Sequence, residues 1–277
     1  MLPNNQRELD IEVGRFVGSK LWMVSGMINT KVHAITKYLS EANITDVVVG
    51  VSGGIDSAVV IGLLNLVKQR IPLTIHAYTI NFDLYNGIFE DNYVRDLKEA
   101  FGSGVNFKII DATDGFKMLM LDLGVETSNH VKAQASYALR YQMLFTYAQV
   151  HNAITIGTTN RDEFEYVGWF GKNSDMVVDL QVITGWNKCQ VVKAARVLGV
   201  PDSIINRAPV GDLLDLSTDE ENFGCTYNEL AYFQEKVIIY PFFHHPEFLK
   251  EKFAKVRALH EKNKHKYQGQ TFNPVFL

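Results

Sequence analysis

Residues 47–57 read Val-Val-Val-Gly-Val-Ser-Gly-Gly-Ile-Asp-Ser, and no other stretch restricts the fold as strongly. A β-branched apolar run stops at Ser52-Gly53-Gly54, and a second apolar run opens at Ala58. This is the pattern of a buried strand, a glycine turn and the start of a helix. Glycine lets the backbone approach a ligand closely. The turn gathers amide groups at the positive end of the helix, an arrangement that suits phosphate. Asp56, in the first helical turn, is placed to hold a metal riding on that phosphate. The run is not a Walker loop, because no Lys follows Gly54, and it lacks the dinucleotide spacing Gly-x-Gly-x-x-Gly. Its plainer alternative is a glycine turn between a core strand and a core helix.

Strand patterns at 47–51, 73–80, 105–110 and 153–157 alternate with helical spacing near 55–68, 89–101 and 131–150. This alternation predicts an α/β fold: a doubly wound, mostly parallel sheet flanked by helices, with right-handed crossovers. Ligands of such sheets sit beyond the carboxyl ends of the strands, where the Ser52 turn lies. Apolar spacing from Leu9 to Leu39 predicts N-terminal helices over 1–41. The last third reads as mostly helical, at 188–198, 202–206, 227–236 and 246–262. The stretch from Asp212 to Asn222 is acid-rich and poor in packing residues, which predicts a mobile loop over 206–225. A C-terminal helix and tail follow over 245–277. Nothing resembling a linker or repeat divides the chain, so 1–277 reads as one domain.

With 27 basic and 31 acidic residues the net charge is −4, and no global field favours nucleic acid. Basic residues thicken only from Lys250 to Lys266, the usual look of a solvated helix face. The two cysteines, Cys189 and Cys225, have neither Cys-x-x-Cys nor metal spacing. A reducing, cytoplasmic setting is expected, with no membrane partner, since no stretch of about 18 apolar residues occurs.

Ser-Gly-Gly-x-Asp-Ser resembles the pyrophosphate loop of the ATP pyrophosphatases, which split ATP into AMP and pyrophosphate and so adenylate a substrate. Over most of its length the chain is similar to one branch of them, the ammonia-dependent NAD synthetases. Residues 157–163, Gly-Thr-Thr-Asn-Arg-Asp-Glu, resemble that family's Gly-Thr-x-Asn-Arg-x-Glu. Asp175 and Asp179 resemble its Asp-x-x-x-Asp pair, and residues 185–190 its Gly-x-x-Lys-x-Gln helix start. Residues 198–205, 209–213, 218–220 and 224–227 continue the match in order, and His265-Lys266 resembles a C-terminal His-Lys-Arg element. The resemblance implies an adenine nucleotide alpha hydrolase-like fold. It also implies an enzyme that adenylates the nicotinate carboxylate of deamido-NAD, releases pyrophosphate, and lets ammonia displace AMP to give NAD. ATP is then a co-substrate, Mg²⁺ the cofactor, and the assembly a homodimer.

Position by position, the resemblance implies that Gly50, Ser52, Gly53, Gly54, Asp56, Ser57, Thr158, Lys188 and Val210 meet ATP. Asp56 and Glu163 would hold Mg²⁺. Asp56, Lys188 and Asp175 would be catalytic. Tyr38, Lys132, Arg140, Asp175, Asp179, His265 and Lys266 would meet deamido-NAD. Several have a plainer alternative. Glu163 could be a surface acid beside Arg161, Lys188 a surface lysine paired with Asp179 or Glu163, Asp175 a cap, and Tyr38 a core aromatic. A lysine opening a helix goes against the dipole preference for acids there, which favours a functional reason.

The acceptor side departs from the family pattern. Gln134 and Ser136 stand where the family has arginines, and Arg140, one turn beyond Ser136, is a candidate replacement. Val210 stands where a Ser or Thr hydroxyl would meet ATP. These changes leave open a relative that amidates a different carboxylate, or a non-catalytic nucleotide sensor. The intact Asp56, Glu163 and Lys188 argue against the sensor. A tRNA sulfur transferase would need a catalytic cysteine and a basic surface, and a nitrile-forming synthase a zinc cysteine cluster. No glutamine-hydrolysing portion is recognisable, so free or partner-delivered ammonia is the expected nitrogen source.

Overall fold

Successive side chains of a strand point to opposite faces of its sheet, so a strand of three consecutive valines must be covered on both sides. Val47 and Val49 face one layer and Val48 the other, and all three are buried. This places β1 (Asp46–Gly50) inside a sheet rather than at its edge. The computed structural model describes residues 2–82, 92–124, 128–207, 217–267 and 275–277. Its sheet runs β3 (Val105–Asp111), β2 (Thr74–Asn81), β1, β4 (Ile154–Gly157), β5 (Leu180–Gln181), β6 (Val275–Phe276), and all neighbours are parallel. The strand order reverses between β1 and β4, and a crevice at such a reversal is where doubly wound sheets take ligands.

Helices cover both faces. On one lie α2 (Val24–Glu41), α3 (Ile55–Lys68), α4 (Asn92–Phe101), α8 (Lys188–Leu198) and α9 (Asp202–Ile205), packed on Val47, Val49, Ile75 and Ile156. Helix α3 is apolar all round its first three turns, with Val59, Val60, Ile61, Leu63 and Leu64 inaccessible, so it fills the centre of that layer. On the other face α5 (Thr113–Asp122) and α6 (Asn129–His151) set Phe116, Leu144 and Ala148 against Val48, Tyr78 and Ile80. A satellite core joins α1 (Gln6–Leu21) to α11 (Tyr227–Tyr232), α12 (Glu247–Lys252) and α13 (Ala254–Asn263) through Leu9, Phe16, Leu230, Phe253 and Val256. Two short helices complete the set, α7 (Arg161–Phe164) and α10 (Asp219–Phe223). Among the described residues no helix is long and apolar enough to cross a membrane.

The expected loop over 206–225 is only partly a loop. Residues 208–216 lie outside the described residues, whereas Thr218 caps α10 in a capping box with Glu221 and buries Asp219 and Phe223. Asp219, Glu220 and Glu221 are first-turn helix acids, favoured by the helix dipole. The expected C-terminal tail also contributes structure, because residues 275–276 add β6 to the sheet through Val275 N–H to Asp179 O (2.8 Å).

Candidate active site

Strand β1 ends at Gly50, and the chain bends through 51–54 into α3. Gly53 has φ +75°, a left-handed conformation that side chains rarely adopt. Ser52 Oγ accepts from Gly54 N (3.2 Å) and Ser57 Oγ donates to Gly54 O (3.0 Å), so both hydroxyls brace the turn. Among the described residues no carbonyl accepts from the amides of Ser52, Gly53, Ile55, Asp56 or Ser57. These amides stand at the positive end of a 14-residue helix and remain available to an anion.

Helix α7 follows β4 as α3 follows β1. Asn160 caps it, accepting from Glu163 N (3.1 Å) while the Glu163 carboxylate accepts from Asn160 N (3.4 Å). Asn160 Nδ2 also donates to Asp56 Oδ1 (3.2 Å), which ties the two post-strand turns together. Lys188 Nζ lies 2.5 Å from Asp56 Oδ2 and 3.8 Å from Glu163 Oε1, and 4.9 Å from the centre of the Tyr227 ring. The Tyr227 hydroxyl is 3.3 Å from Glu163 Oε1 and 2.8 Å from Asp219 Oδ2, and Trp169 Nε1 donates to Asp219 Oδ1 (3.0 Å). The Lys188, Glu163 and Asp56 side chains keep only 10, 17 and 20 % of their exposure, so their charges interact through protein more than through water.

Lys188 is the first residue of α8, a poor place for a cation. Buried Asp162 offsets this, accepting from Lys188 N and Asn187 Nδ2, both at 2.7 Å. Burial pushes the Asp162 carboxyl up to about 6. Burial and the Asp56 charge push Glu163 up as well. Burial disfavours the Lys188 ammonium, but Asp56 and Glu163 outweigh it and hold its pKa above the ordinary value. Two carboxylates that already share one cation beside an anion-ready bend are the hard oxygen donors that Mg²⁺ takes alongside phosphate.

The plainer alternative for Glu163 fails, because Arg161 pairs with Glu165 and Glu235 instead. Lys188 is paired, as its alternative held, but with Asp56 as well as Glu163, and it is buried. Gly50 lies under Leu144, and Thr158 follows β4 in the same crevice. Asp175 forms a second focus. Its carboxylate accepts from Tyr141 Oη (3.0 Å), Gly171 N (2.8 Å) and Ser174 Oγ (3.0 Å). Burial and the Asp175 charge hold the Tyr141 hydroxyl well above its ordinary value. Lys266 donates to the carbonyls of Gly168 (2.8 Å) and Phe170 (2.6 Å), and burial lowers its pKa against the opposing pull of the Asp175 charge. Arg140 donates from Nε to Ile80 O (3.2 Å) at the carboxyl end of β2, with Phe82 and Tyr137 against its guanidinium. Lys132 is half-buried on α6 and His265 is exposed.

Two expected residues stand apart from these groups. Asp179 Oδ2 accepts from both N and Oγ1 of Thr155 (2.7 Å each), joining β5 to β4. Tyr38 packs into the α2–α3 core near the end of α2, toward the amino end of β1 and away from the Ser52 bend. Val210 lies outside the described residues. Sequence reasoning assigned no role to Asp162, Asn160, Tyr227, Asp219 or Tyr141. All but Tyr141 lay in matched segments, and those segments were the available signal.

The NAD synthase family model matches residues 27–269. The chain belongs to that family. The NH(3)-dependent NAD(+) synthetase of Mesoplasma florum is 33 % identical over 241 residues, 86 % of this chain and 92 % of that protein. Among solved structures, an NMN synthetase from Francisella tularensis superposes with TM-score 0.76 at 25 % identity, covering 90 % of this chain and 97 % of the other. An NAD+ synthetase from Burkholderia pseudomallei gives TM-score 0.69 at 20 % identity, covering 92 % and 96 %, and shares the fold. The family accounts for the six-stranded parallel sheet and for the collinear motifs along it.

Proposed function

We propose that this member of the NAD synthase family is an ammonia-dependent, AMP-forming ligase whose acceptor is deamido-NAD. The observation that carries the reading is the set of available amides at the Ser52 bend beside Asp56, Glu163 and Lys188. A carboxylate cannot be amidated directly, because its leaving group would be oxide. In the first step the nicotinate carboxylate oxygen attacks the α-phosphorus of ATP, the bond to the β-phosphate bridge breaks, and pyrophosphate departs. The bend amides and Lys188 stabilise the charge gathering on pyrophosphate. Asp56 and Glu163 would hold Mg²⁺, which when bound offsets phosphate charge. Ammonia then attacks the acyl carbon, the bond to AMP breaks, and the nitrogen loses one proton. Asp175, fixed by Tyr141, Gly171 and Ser174, receives that proton.

Lys132, Arg140 and Lys266 face the dinucleotide in this reading, within one domain over 1–277. A homodimer is supported by the apolar surface around α5 and α6, where Met118, Leu121, Leu123, Val131, Phe145 and Val150 are exposed. Unpaired Cys189 and Cys225 suit the cytoplasm. With Mg²⁺, ATP, ammonia and deamido-NAD, the purified protein should release AMP, pyrophosphate and NAD in equal amounts. Pyrophosphate release only with a different carboxylate would support a divergent ligase, and ATP binding without release over a wide panel of acids would support a sensor.

One observation favours a second acceptor of the same chemistry. The Francisella tularensis neighbour is described as an NMN synthetase. Here Gln134 is exposed, and Ser136 is buried with its hydroxyl on Ala133 O (2.8 Å). A mononucleotide acid needs fewer phosphate donors than a dinucleotide. Comparing kcat/KM on nicotinate mononucleotide and deamido-NAD decides between them.

A further inference from the structure

Gln181 has no part in the reading above, yet its side chain joins the two halves of the crevice. It closes β5, in register with Gly157 of β4 on one side and Phe276 of β6 on the other, so its backbone is held from both edges. The side chain is buried at the carboxyl end of the sheet. Its Nε2 donates to the Asp175 carbonyl (2.7 Å) and to Thr159 Oγ1 (3.4 Å), and its Oε1 accepts from Thr159 N (3.4 Å). One planar amide thus grips both the turn after β4 and the loop that carries Asp175. Thr159 precedes Asn160, which caps Glu163 and meets Asp56. The Asp175 carboxylate is fixed by Tyr141, Gly171 and Ser174, and its carbonyl by Gln181.

Gly157 makes room for this contact. A Cβ there would lie 2.4 Å from Gln181 Oε1, and Gly157 is not left-handed, so space alone excludes a side chain. An apolar residue would fill the core at β5 without the cost of burying an amide. Here the amide is buried with its bonds made, and they lead only to the two site loops. We propose that Gln181 is a positioning residue that sets the spacing between the adenylating groups and Asp175, and so directs the acyl-adenylate to ammonia rather than to water. The inference rests on the reading that Asp175 receives the ammonium proton. Attack by ammonia and loss of that proton need Asp175 at a fixed place beside the acyl carbon. Where Asp175 is misplaced, water attacks that carbon instead. The bond to AMP breaks, the water loses a proton, and the starting carboxylate returns with ATP consumed and no amide made.

The test is the ratio of amide formed to pyrophosphate released by the full chain with Mg²⁺, ATP, ammonia and either deamido-NAD or nicotinate mononucleotide. In the wild type the two are equal. Gln181→Met has similar length and cannot make these bonds. It should lower amide formation by about tenfold or more and pyrophosphate release by less than about threefold, so the ratio falls well below unity. Gly157→Ala, which pushes the Gln181 amide aside, should lower the ratio as well. A ratio that stays at unity in Gln181→Met, whether turnover is unchanged or falls together with the melting temperature, would make Gln181 a structural residue and overturn the proposal. Gln181→Asn, polar but shorter, reads the same ratio if the Met variant does not fold, and unfolding of both would overturn the proposal too. These outcomes leave the ligase reading intact, because the wild type still makes amide. Wild-type protein that releases no pyrophosphate with either acceptor overturns both.

Discussion

The two sides of the crevice are built differently. On the phosphate side, groups from four elements hold one another: Asp56 of α3, Glu163 of α7, Lys188 of α8 and Tyr227 of α11. On the acceptor side, α6 offers Gln134 to solvent, folds Ser136 back on its own helix, and engages Arg140 with a strand carbonyl. Under the proposed function, the lesson is that activation chemistry and acceptor choice are separable. A cluster of interlocked buried charges tolerates little change, since removing one member strands the rest. A partly exposed helix face can change residue by residue at small cost in stability.

Lys188→Met should break the phosphate side most severely. Turnover should fall by about 10³-fold or more, because the leaving charge loses its cation. Stability should fall by about 3 kcal/mol, because the carboxylates are left facing each other. Pyrophosphate release and urea denaturation read the two effects, and retention of both would dismantle the contrast. Asp56→Asn should lower pyrophosphate release by about 10²–10³-fold with the fold kept, since an amide oxygen can still accept from Asn160. Near-normal turnover in that variant would remove Asp56 from the metal site.

The pH dependence sharpens the same side. Asp162 has an ordinary value of 3.8 and is raised to about 6 in the folded protein. Between those values the folded state binds more protons than the unfolded state. Stability from this group is thus full below about pH 4 and declines as pH rises to about 6, by about 3 kcal/mol. Asp162→Asn should flatten that part of the denaturation profile, and an unchanged slope would mean that another group produces it. The smallest effect belongs to the acceptor side. Gln134→Arg should lower KM for deamido-NAD by about tenfold without moving the melting temperature. A silent variant would mean that this face of α6 does not meet substrate.

The sequence made the central architecture readable where local pattern and tertiary burial agree. The valine run, the glycine bend and the apolar α3 satisfy the strand–turn–helix rules unaided. Strands β5 and β6 are two residues each, too short to show a period, and their pairing is decided by distant segments. Helix α5 carries exposed Met118, Leu119 and Leu121, which blurs its amphipathic face. In the site, Asp56 could be found because it opens a helix after a strand and glycine turn, and Glu163 through the resemblance of residues 157–163 to a family segment. Asp162 lies 26 positions before the lysine amide it holds, and no local spacing marks that bond.

Lys188 lets the protein carry its own counter-ion. An ammonium from within the chain already lies against both Asp56 and Glu163, so their charges are offset without a divalent ion. If the proposed Mg²⁺ acts with the nucleotide, chelator treatment should then stop pyrophosphate release yet leave the melting curve where it was, which would make the metal a passenger of the nucleotide rather than a pillar of the fold.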